Sequence, residues 1–209
     1  MPLFLQHKEE AFQWAVWKME ESVEELLSIF PQKDFYEREI VSFVSSHRQQ
    51  EWLSARVLLY TLLGEEKEIA YELSGKPYLS DHSYFISISH TKGYVAIILS
   101  QKSAVGIDIE YYGQRVHKVA SRFIRSDEMP GSYQGDDTWG LLLHWSAKEA
   151  IYKCLEEVDA DLCNLRIESF LPTKQGTFQA QEYWSTQQRE LSVSYYIHPD
   201  FVLTWLLNE

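Results

Sequence analysis

Two long amphipathic segments, each accompanied by strand-like runs, constrain the fold of this chain more than any other feature. Apolar residues recur at helical spacing through Ser45–Gly64, and a second long helix is expected over about Trp139–Glu157. The segment Tyr84–Ser100 predicts a hairpin of two strands around a Thr-Lys-Gly turn. Because helix and strand content is comparable in both halves, we expect an α+β fold of two similar lobes, with an N-terminal lobe over residues 1–104 and a C-terminal lobe over residues 105–209.

The shorter elements fit the same plan. Phe12–Met19 has the pattern of a strand, and Ser22–Phe30 has that of a helix that begins with a capping box, since a glutamate follows Ser22 by three residues. Another helix is expected near Val116–Phe123, before a polar loop. The sequences RIESFLP, GTFQAQEYW, LSVSYYIHP and FVLTWLL predict the final strands.

Charge and composition narrow the classes of function. The 209 residues carry a formal net charge of −12, and general nucleic-acid binding, which depends on phosphate contacts, is therefore not expected. No apolar run approaches the ~18 residues that span a bilayer, and the N-terminal sequence MPLFLQHKEE is not that of a signal peptide. Cys154 and Cys163 make neither a disulfide framework nor a metal-ligand spacing. We therefore expect a cytoplasmic protein without a membrane partner.

The sequence AVGIDIE, residues 104–110, is an apolar strand that contains two acids. Strand side chains alternate between faces, so Gly106, Asp108 and Glu110 share one face. Two carboxylates on one face repel each other unless solvent screens them or a cation lies between them. The pattern therefore indicates either a half-exposed strand with a solvated acidic face or part of a cation site.

A third acid occurs in the sequence HWSAKEAIYKCL, where Glu149 and Lys153 are four residues apart and share one helix face. Alone, they would be an ordinary surface ion pair. Beside the strand acids they suit a Mg²⁺ ion, which binds a few carboxylate oxygens and shares its other positions with substrate phosphates. A lysine there can neutralise charge on a leaving phosphate. The combination indicates Mg²⁺-dependent chemistry on a phosphate ester.

Three upstream signals are weak individually. The sequence SGKPYL contains a Lys-Pro turn, His90 ends the strand-like run SISH, and Arg56 lies among apolar residues on its helix. Each has a structural explanation as well: a plain turn, a satisfied structural histidine, and an arginine that extends to solvent.

In this order the segments resemble the 4'-phosphopantetheinyl transferases of the surfactin/enterobactin (Sfp) type. The resemblance covers about Arg48 to Leu155 and rests on RQQEWLSAR, GKPYL, ISISH, VGIDIE, RFIRSDE and WSAKEAIYK. It implies that the phosphopantetheine arm of coenzyme A is transferred to a serine of an apo acyl or peptidyl carrier protein, with release of 3',5'-ADP. It further implies a monomer that binds coenzyme A and Mg²⁺ in a cleft between the two lobes.

The resemblance also implies a role for each matching residue. Asp108, Glu110 and Glu149 would be the Mg²⁺ ligands, and Lys153 would bind coenzyme A at the phosphate under attack and take part in catalysis. The other residues that would contact coenzyme A are Arg48, Arg56, Lys76, Pro77, Ser89 and His90.

The identity of the general base stays open at this stage. A serine hydroxyl must lose its proton as the new bond forms, and Glu128 and Glu149 are both candidates to accept it. Lys148 is expected either to be solvated or to contact a ligand. The sequence CLEEVDADLCNL begins directly after Lys153 and lacks the Gly-rich turn that the family often has there, which leaves the pantetheine pocket undefined.

A basic stretch follows the acidic strand and has two interpretations, docking of an acidic carrier protein or a solvated helix face. Its residues are Arg115, His117, Lys118, Arg122 and Arg125. Two other functions are also considered: a Mg²⁺-dependent phosphohydrolase that uses water, and a non-catalytic module that binds coenzyme A or a carrier. The sequence does not distinguish between fatty-acid, polyketide and peptide-synthetase carriers.

Overall fold

The computed structural model describes residues 3–155 and 161–208. In chain order its elements are β1 (Leu3–Lys8), β2 (Phe12–Lys18), α1 (Val23–Leu27), α2 (Lys33–Ile40), α3 (Ser46–Leu63), β3 (Ile69–Tyr71), β4 (Pro77–Leu79), β5 (Phe85–Thr91), β6 (Tyr94–Ser100), β7 (Val105–Tyr111), α4 (Arg115–Val119), α5 (Thr138–Leu155), β8 (Leu165–Ile167), β9 (Gln175–Glu182), β10 (Glu190–Ile197) and β11 (Phe201–Leu207). The expected α+β class is confirmed. The chain divides into two compact units, Met1–Lys102 and Ser103–Glu209.

The first unit is built on a four-stranded antiparallel sheet in the order β1-β2-β6-β5. The expected hairpin forms its β5-β6 half. Helix α3 packs on this sheet through buried apolar residues that include Leu53 and Val57. The helix begins where the Ser45 hydroxyl accepts a hydrogen bond from the Arg48 amide at 3.1 Å, and it ends at Gly64, whose φ is 72°. Such a left-handed turn favours glycine, so the local sequence defines both ends of the helix.

The second unit is built on a five-stranded antiparallel sheet in the order β7-β11-β10-β9-β8. Helix α5 packs closely against the edge strand β7. Gly106 permits this approach, because a Cβ atom at this position would lie only 1.9 Å from the Ala150 carbonyl oxygen. The face of β7 that carries the acids therefore faces helix α5.

Several elements differ from the sequence prediction. Helix α1 is shorter than expected, although the predicted capping box at Ser22 is present. Helix α2 has no side-chain cap, and β3 and β4 have three residues each, so these elements give no clear local signal. The helix expected near Val116–Phe123 is the short α4 followed by a 3₁₀ turn at Ala120–Arg122. The predicted end of the long helix at Glu157 lies outside the described residues. Within those residues, no helix has both the length and the apolar character that crossing a bilayer requires.

Candidate active site

The acidic face of β7 is buried against α5. Asp108 is only 3% exposed, and Glu110 is half-buried. The interpretation of this strand as a solvated acidic face is therefore wrong. The acids are buried because Gly106 lets helix α5 approach the strand closely. The helix then also covers Asp108, two positions further along the strand.

Helix α5 directs a row of side chains at these acids. Residues four apart share one face of a helix, which applies to Trp145, Glu149 and Lys153. The Trp145 indole N–H donates a hydrogen bond to Glu110 Oε1 at 2.7 Å. The Lys153 ammonium donates to Asp108 Oδ1 at 2.7 Å and to the Ile107 carbonyl at 3.3 Å. Lys153 therefore forms an ion pair across the strand–helix junction.

The three acids influence one another electrostatically. The pKa of Glu110 is raised to about 7, mainly by burial and also by the charges of Asp108 and Glu149, although Trp145 and Lys153 act in the opposite direction. Burial and the charge of Asp108 also raise the pKa of Glu149, against the effect of Lys153. A raised carboxyl pKa means that the ionised group is disfavoured where it lies. This cluster of Asp108, Glu110 and Glu149, the acidic triad, therefore carries an excess of negative charge that a cation would relieve.

Mg²⁺ fits the acidic triad by donor type and by charge. All three side chains offer carboxylate oxygens, which hard divalent cations prefer, and their mutual repulsion is the condition that a bound cation removes. Among residues 3–155 and 161–208, no three His, Cys, Asp or Glu side chains already stand in a metal-binding arrangement. The fit therefore rests on chemistry and electrostatics.

Two hydroxyls connect helix α5 to the sheet beside the triad. Ser146 and Thr204 lie 2.8 Å apart through their hydroxyl oxygens, and both side chains are buried. Thr204 on β11 is the cross-strand partner of Asp108. Sequence reasoning missed Thr204 and Trp145, although the four-residue spacing of Trp145 from Glu149 was a signal that could have identified the tryptophan.

Glu128 and Lys148 form a fully buried ion pair. Glu128 Oε2 accepts hydrogen bonds from the Lys148 ammonium at 2.8 Å and from the Arg125 amide at 2.7 Å, while Oε1 accepts from the Ile167 amide at 2.7 Å. Lys148 also donates to the Phe123 carbonyl at 2.6 Å. The solvated lysine considered for position 148 is wrong. The Glu128 carboxylate anchors the segment after α4 to helix α5 and strand β8, and its role as a base stays a prediction.

In the first unit, the structure brings Arg48 and His90 together. Arg48 Nη1 lies 3.4 Å from His90 Nε2, and the two residues come from α3 and from the end of β5. Glu51, which sequence reasoning missed, accepts a hydrogen bond from Arg48 Nη1 at 3.0 Å. Ser89 precedes His90 on the edge strand and is buried. Lys76 and Pro77 lie at the start of β4, and both are half-buried.

Arg56 lies deeper than the other predicted phosphate ligands. It is 7% exposed, and its guanidinium stacks 3.4 Å from the centroid of the Trp52 ring. Its nitrogens donate to the carbonyls of Trp52 at 3.2 Å and Ile69 at 3.4 Å. Burial lowers the pKa of Arg56, while Tyr71 raises it. The interpretation of Arg56 as an arginine that extends to solvent is therefore wrong. Its hydrogen bonds link α3 to β3 instead.

The basic stretch is divided in the structure. Arg115, His117, Lys118 and Arg122 are exposed on α4 and the turn after it. Arg125 is half-buried and engaged, because it donates to Asp127 Oδ1 at 2.8 Å and to the Cys163 carbonyl at 2.6 Å. Four of the five basic residues are therefore open to solvent.

Comparison with known proteins agrees with this geometry. The model of the 4'-phosphopantetheinyl transferase superfamily matches residues 104–205, which include β7 and α5 with the whole acidic triad. This part of the chain, just under half of its length, is therefore similar to that superfamily. The more specific Sfp type stays a prediction.

Two relatives have the same kind of name. The 4'-phosphopantetheinyl transferase AcpT of Escherichia coli is 30% identical over 115 residues, which cover 51% of this chain and 57% of the relative. The chain thus spans little more than half of that protein. A Haemophilus influenzae protein provisionally named as a 4'-phosphopantetheinyl transferase is 27% identical over 194 residues, which cover 85% of this chain and 81% of the relative.

Proposed function

We propose that this protein transfers the 4'-phosphopantetheine group of coenzyme A to a serine of an apo acyl or peptidyl carrier protein, in a Mg²⁺-dependent reaction. The observation that carries the proposal is the acidic triad with Lys153, which lies within the part of the chain that matches the superfamily. The relatives' names agree with the same class of reaction. A cytoplasmic monomer of the Sfp type is part of this proposal.

The reaction balances without a further reactant. The serine oxygen forms a bond to the phosphorus that carries the pantetheine arm, and the bond from this phosphorus to the oxygen of the neighbouring phosphate breaks. The products are the modified serine and 3',5'-ADP, and the serine proton passes to a carboxylate. When bound to Asp108, Glu110 and Glu149, Mg²⁺ would supply positive charge to the phosphate oxygens.

Residues of the chain account for the remaining requirements. Lys153 is held by Asp108 at 2.7 Å, and its positive charge is suited to stabilise charge on the phosphate under attack. We assign the proton to Glu149 rather than Glu128. Both Glu128 oxygens already accept hydrogen bonds and the side chain is fully buried, whereas Glu149 is only partly buried and shares a helix face with Lys153.

We assign the phosphates of coenzyme A to residues of the first unit. Arg48 and His90 form the centre of this group because their nitrogens lie 3.4 Å apart and both side chains are exposed. Arginine forms charge-assisted hydrogen bonds with phosphate oxygens. Other contacts would come from Lys76, Pro77 and Ser89. Arg56 is only 7% exposed and already engaged by Trp52 and Ile69, so its contact with coenzyme A would be the smallest of these.

The decisive experiment incubates the protein with coenzyme A and Mg²⁺ and a panel of apo carrier proteins, and measures the mass of each carrier. We expect one or more carriers to gain the phosphopantetheine group as 3',5'-ADP appears. Release of phosphate without a modified carrier would indicate a phosphohydrolase instead. Binding of coenzyme A with no modification of any carrier class would indicate a non-catalytic module. Either outcome contradicts the proposal.

The Asp108→Asn variant tests the metal assignment. It removes one negative charge from the triad and with it the charged partner of Lys153, so transfer should fall by at least about 100-fold, as when other preorganised electrostatic groups are removed. Glu128→Gln is a useful comparison, because it should mainly lower stability. Normal transfer by Asp108→Asn at saturating Mg²⁺ would contradict the assignment of Asp108 as a ligand.

A further inference from the structure

We propose that Glu51 is a positioning residue that organises His47, Arg48 and His90 into one anion-recognising group, the His–Arg cluster. This inference rests on the proposed function, because the anion is taken to be a phosphate of coenzyme A. Neither Glu51 nor His47 belongs to the residues predicted from the sequence.

The evidence for this role is that one carboxylate contacts basic side chains from two elements. Glu51 Oε2 accepts a hydrogen bond from Arg48 Nη1 at 3.0 Å, and Oε1 lies 3.3 Å from His47 Nε2. The same Oε1 lies 3.6 Å from His90 Nε2, across from helix α3 on strand β5. Glu51 therefore accepts a hydrogen bond from Arg48 and lies within ion-pair distance of both histidines.

Glu51 is much more buried than the three basic side chains around it. The Glu51 side chain is 13% exposed, while the side chains of His47, Arg48 and His90 are 65%, 57% and 45% exposed. The acid is thus the most buried member of the group, and the three basic side chains are largely exposed. A buried acid of this kind orders basic side chains that remain accessible to a ligand.

Position on the helix adds to the same effect. His47 and Arg48 belong to the first turn of α3, an 18-residue helix whose N-terminal end carries partial positive charge. Glu51 follows them by four and three residues, which places it on the same helix face. The helix thus presents two of the three basic groups in one direction, and Glu51 connects them to the third on β5.

Preorganisation is the expected benefit. Arginine is a long side chain, and a ligand that must first order it loses binding free energy. The contact with Glu51 orders Arg48 before the ligand arrives. The negative charge of Glu51 acts in the opposite direction, since it weakens the attraction for an anion. An informative test must therefore separate the hydrogen-bond acceptor from the charge.

Glu51→Gln and Glu51→Met make this separation. Both variants are neutral and similar in size, but only glutamine retains an oxygen that accepts a hydrogen bond from Arg48. We expect coenzyme A to bind the methionine variant about three- to tenfold more weakly than the glutamine variant in calorimetry, which is the effect of one unordered side chain. The difference should appear in the KM for coenzyme A and leave kcat unchanged.

The Arg48→Met background provides the control. If Glu51 acts through Arg48, the difference between the glutamine and methionine variants should shrink to less than about twofold there. Equal affinities of the two Glu51 variants in the wild-type background, with both proteins folded, would overturn the positioning role. A difference that persists in full without Arg48 would also overturn it.

A failure of the proposed function would look different. In that case the wild-type protein itself would not bind coenzyme A, whatever residue stands at position 51. Equal thermal unfolding of the two Glu51 variants, measured in parallel, would show that a difference in affinity comes from the binding group.

Discussion

Replacement of Gly106 by alanine adds one methyl group at the closest contact between β7 and α5. The new Cβ would lie 1.9 Å from the Ala150 carbonyl oxygen and 2.9 Å from the Cys154 Cβ, far below ordinary contact distances. The nearest atom belongs to the helix backbone and cannot rotate away, so the helix and the strand must separate by about 1 Å or more. Overpacking of this kind costs about 1–3 kcal/mol, and a clash with backbone belongs at the upper end.

Urea unfolding of Gly106→Ala should be compared with that of Gly113→Ala. Gly113 follows the same strand and has no heavy atom within 4 Å of the position of a Cβ, so alanine there should leave stability unchanged or slightly higher. We expect Gly106→Ala to be less stable than the control by about 2–3 kcal/mol.

The same substitution should impair the site. Asp108 lies two positions along the strand, and its 2.7 Å contact with Lys153 depends on the strand–helix distance. Transfer activity per folded molecule should therefore fall as well. Equal urea midpoints for the two variants would refute the reasoning, because they would mean that strand and helix lie further apart than the structure shows.

Three further predictions concern other buried polar groups. Arg56→Lys should lower the free energy of unfolding by about 1–3 kcal/mol in urea, because an ammonium cannot reproduce the stacking on Trp52 together with both backbone hydrogen bonds; unchanged stability would contradict this. Burial lowers the pKa of His144 below its usual 6.5 in the folded protein. Just below pH 6.5, His144 is therefore protonated in the unfolded chain but not in the folded one. The free energy of unfolding should fall there by up to about 1.4 kcal/mol per pH unit as the pH is lowered. His144→Phe should reduce that slope between pH 6.5 and 5.5, and parallel curves for variant and wild type would be evidence against it. Burial by itself raises the pKa of Glu182, but hydrogen bonds, of which that from Ser185 has the largest effect, outweigh it. The net result is a pKa of about 2 instead of the usual 4.5. Its stabilisation is therefore complete above pH 4.5 and is lost as the pH falls towards 2, and Glu182→Gln should show a flatter profile over this range alone.

The sequence predicted those elements whose signals are local. The hairpin of β5 and β6 follows from apolar runs around a glycine turn, and α3 follows from helical spacing between a serine cap and a terminal glycine. The capping box of α1 is a relation between neighbours three residues apart. Elements that lack such local signals, such as α2 and the three-residue strands β3 and β4, were missed.

The sequence also identified the types of residue in the candidate site. Alternation along β7 predicts that Asp108 and Glu110 share a face, and helical spacing predicts that Glu149 and Lys153 share one. Both relations depend only on positions within one element. Which faces of different elements meet depends on packing between residues far apart in the chain, and periodicity contains no information about it.

Tertiary structure alone therefore decided which partner each charged group has. Lys153 donates a hydrogen bond to Asp108, which lies on a strand 45 residues earlier in the chain. Glu128 was expected at the reaction and Lys148 either in solvent or at a ligand, yet the two meet in the core, because burial of either charge alone would be costly. Glu51 reaches His90 only because α3 lies beside the end of β5. The sequence by itself determined the chemistry of these side chains, and the close approach of helices to sheets determined which of them act on one another.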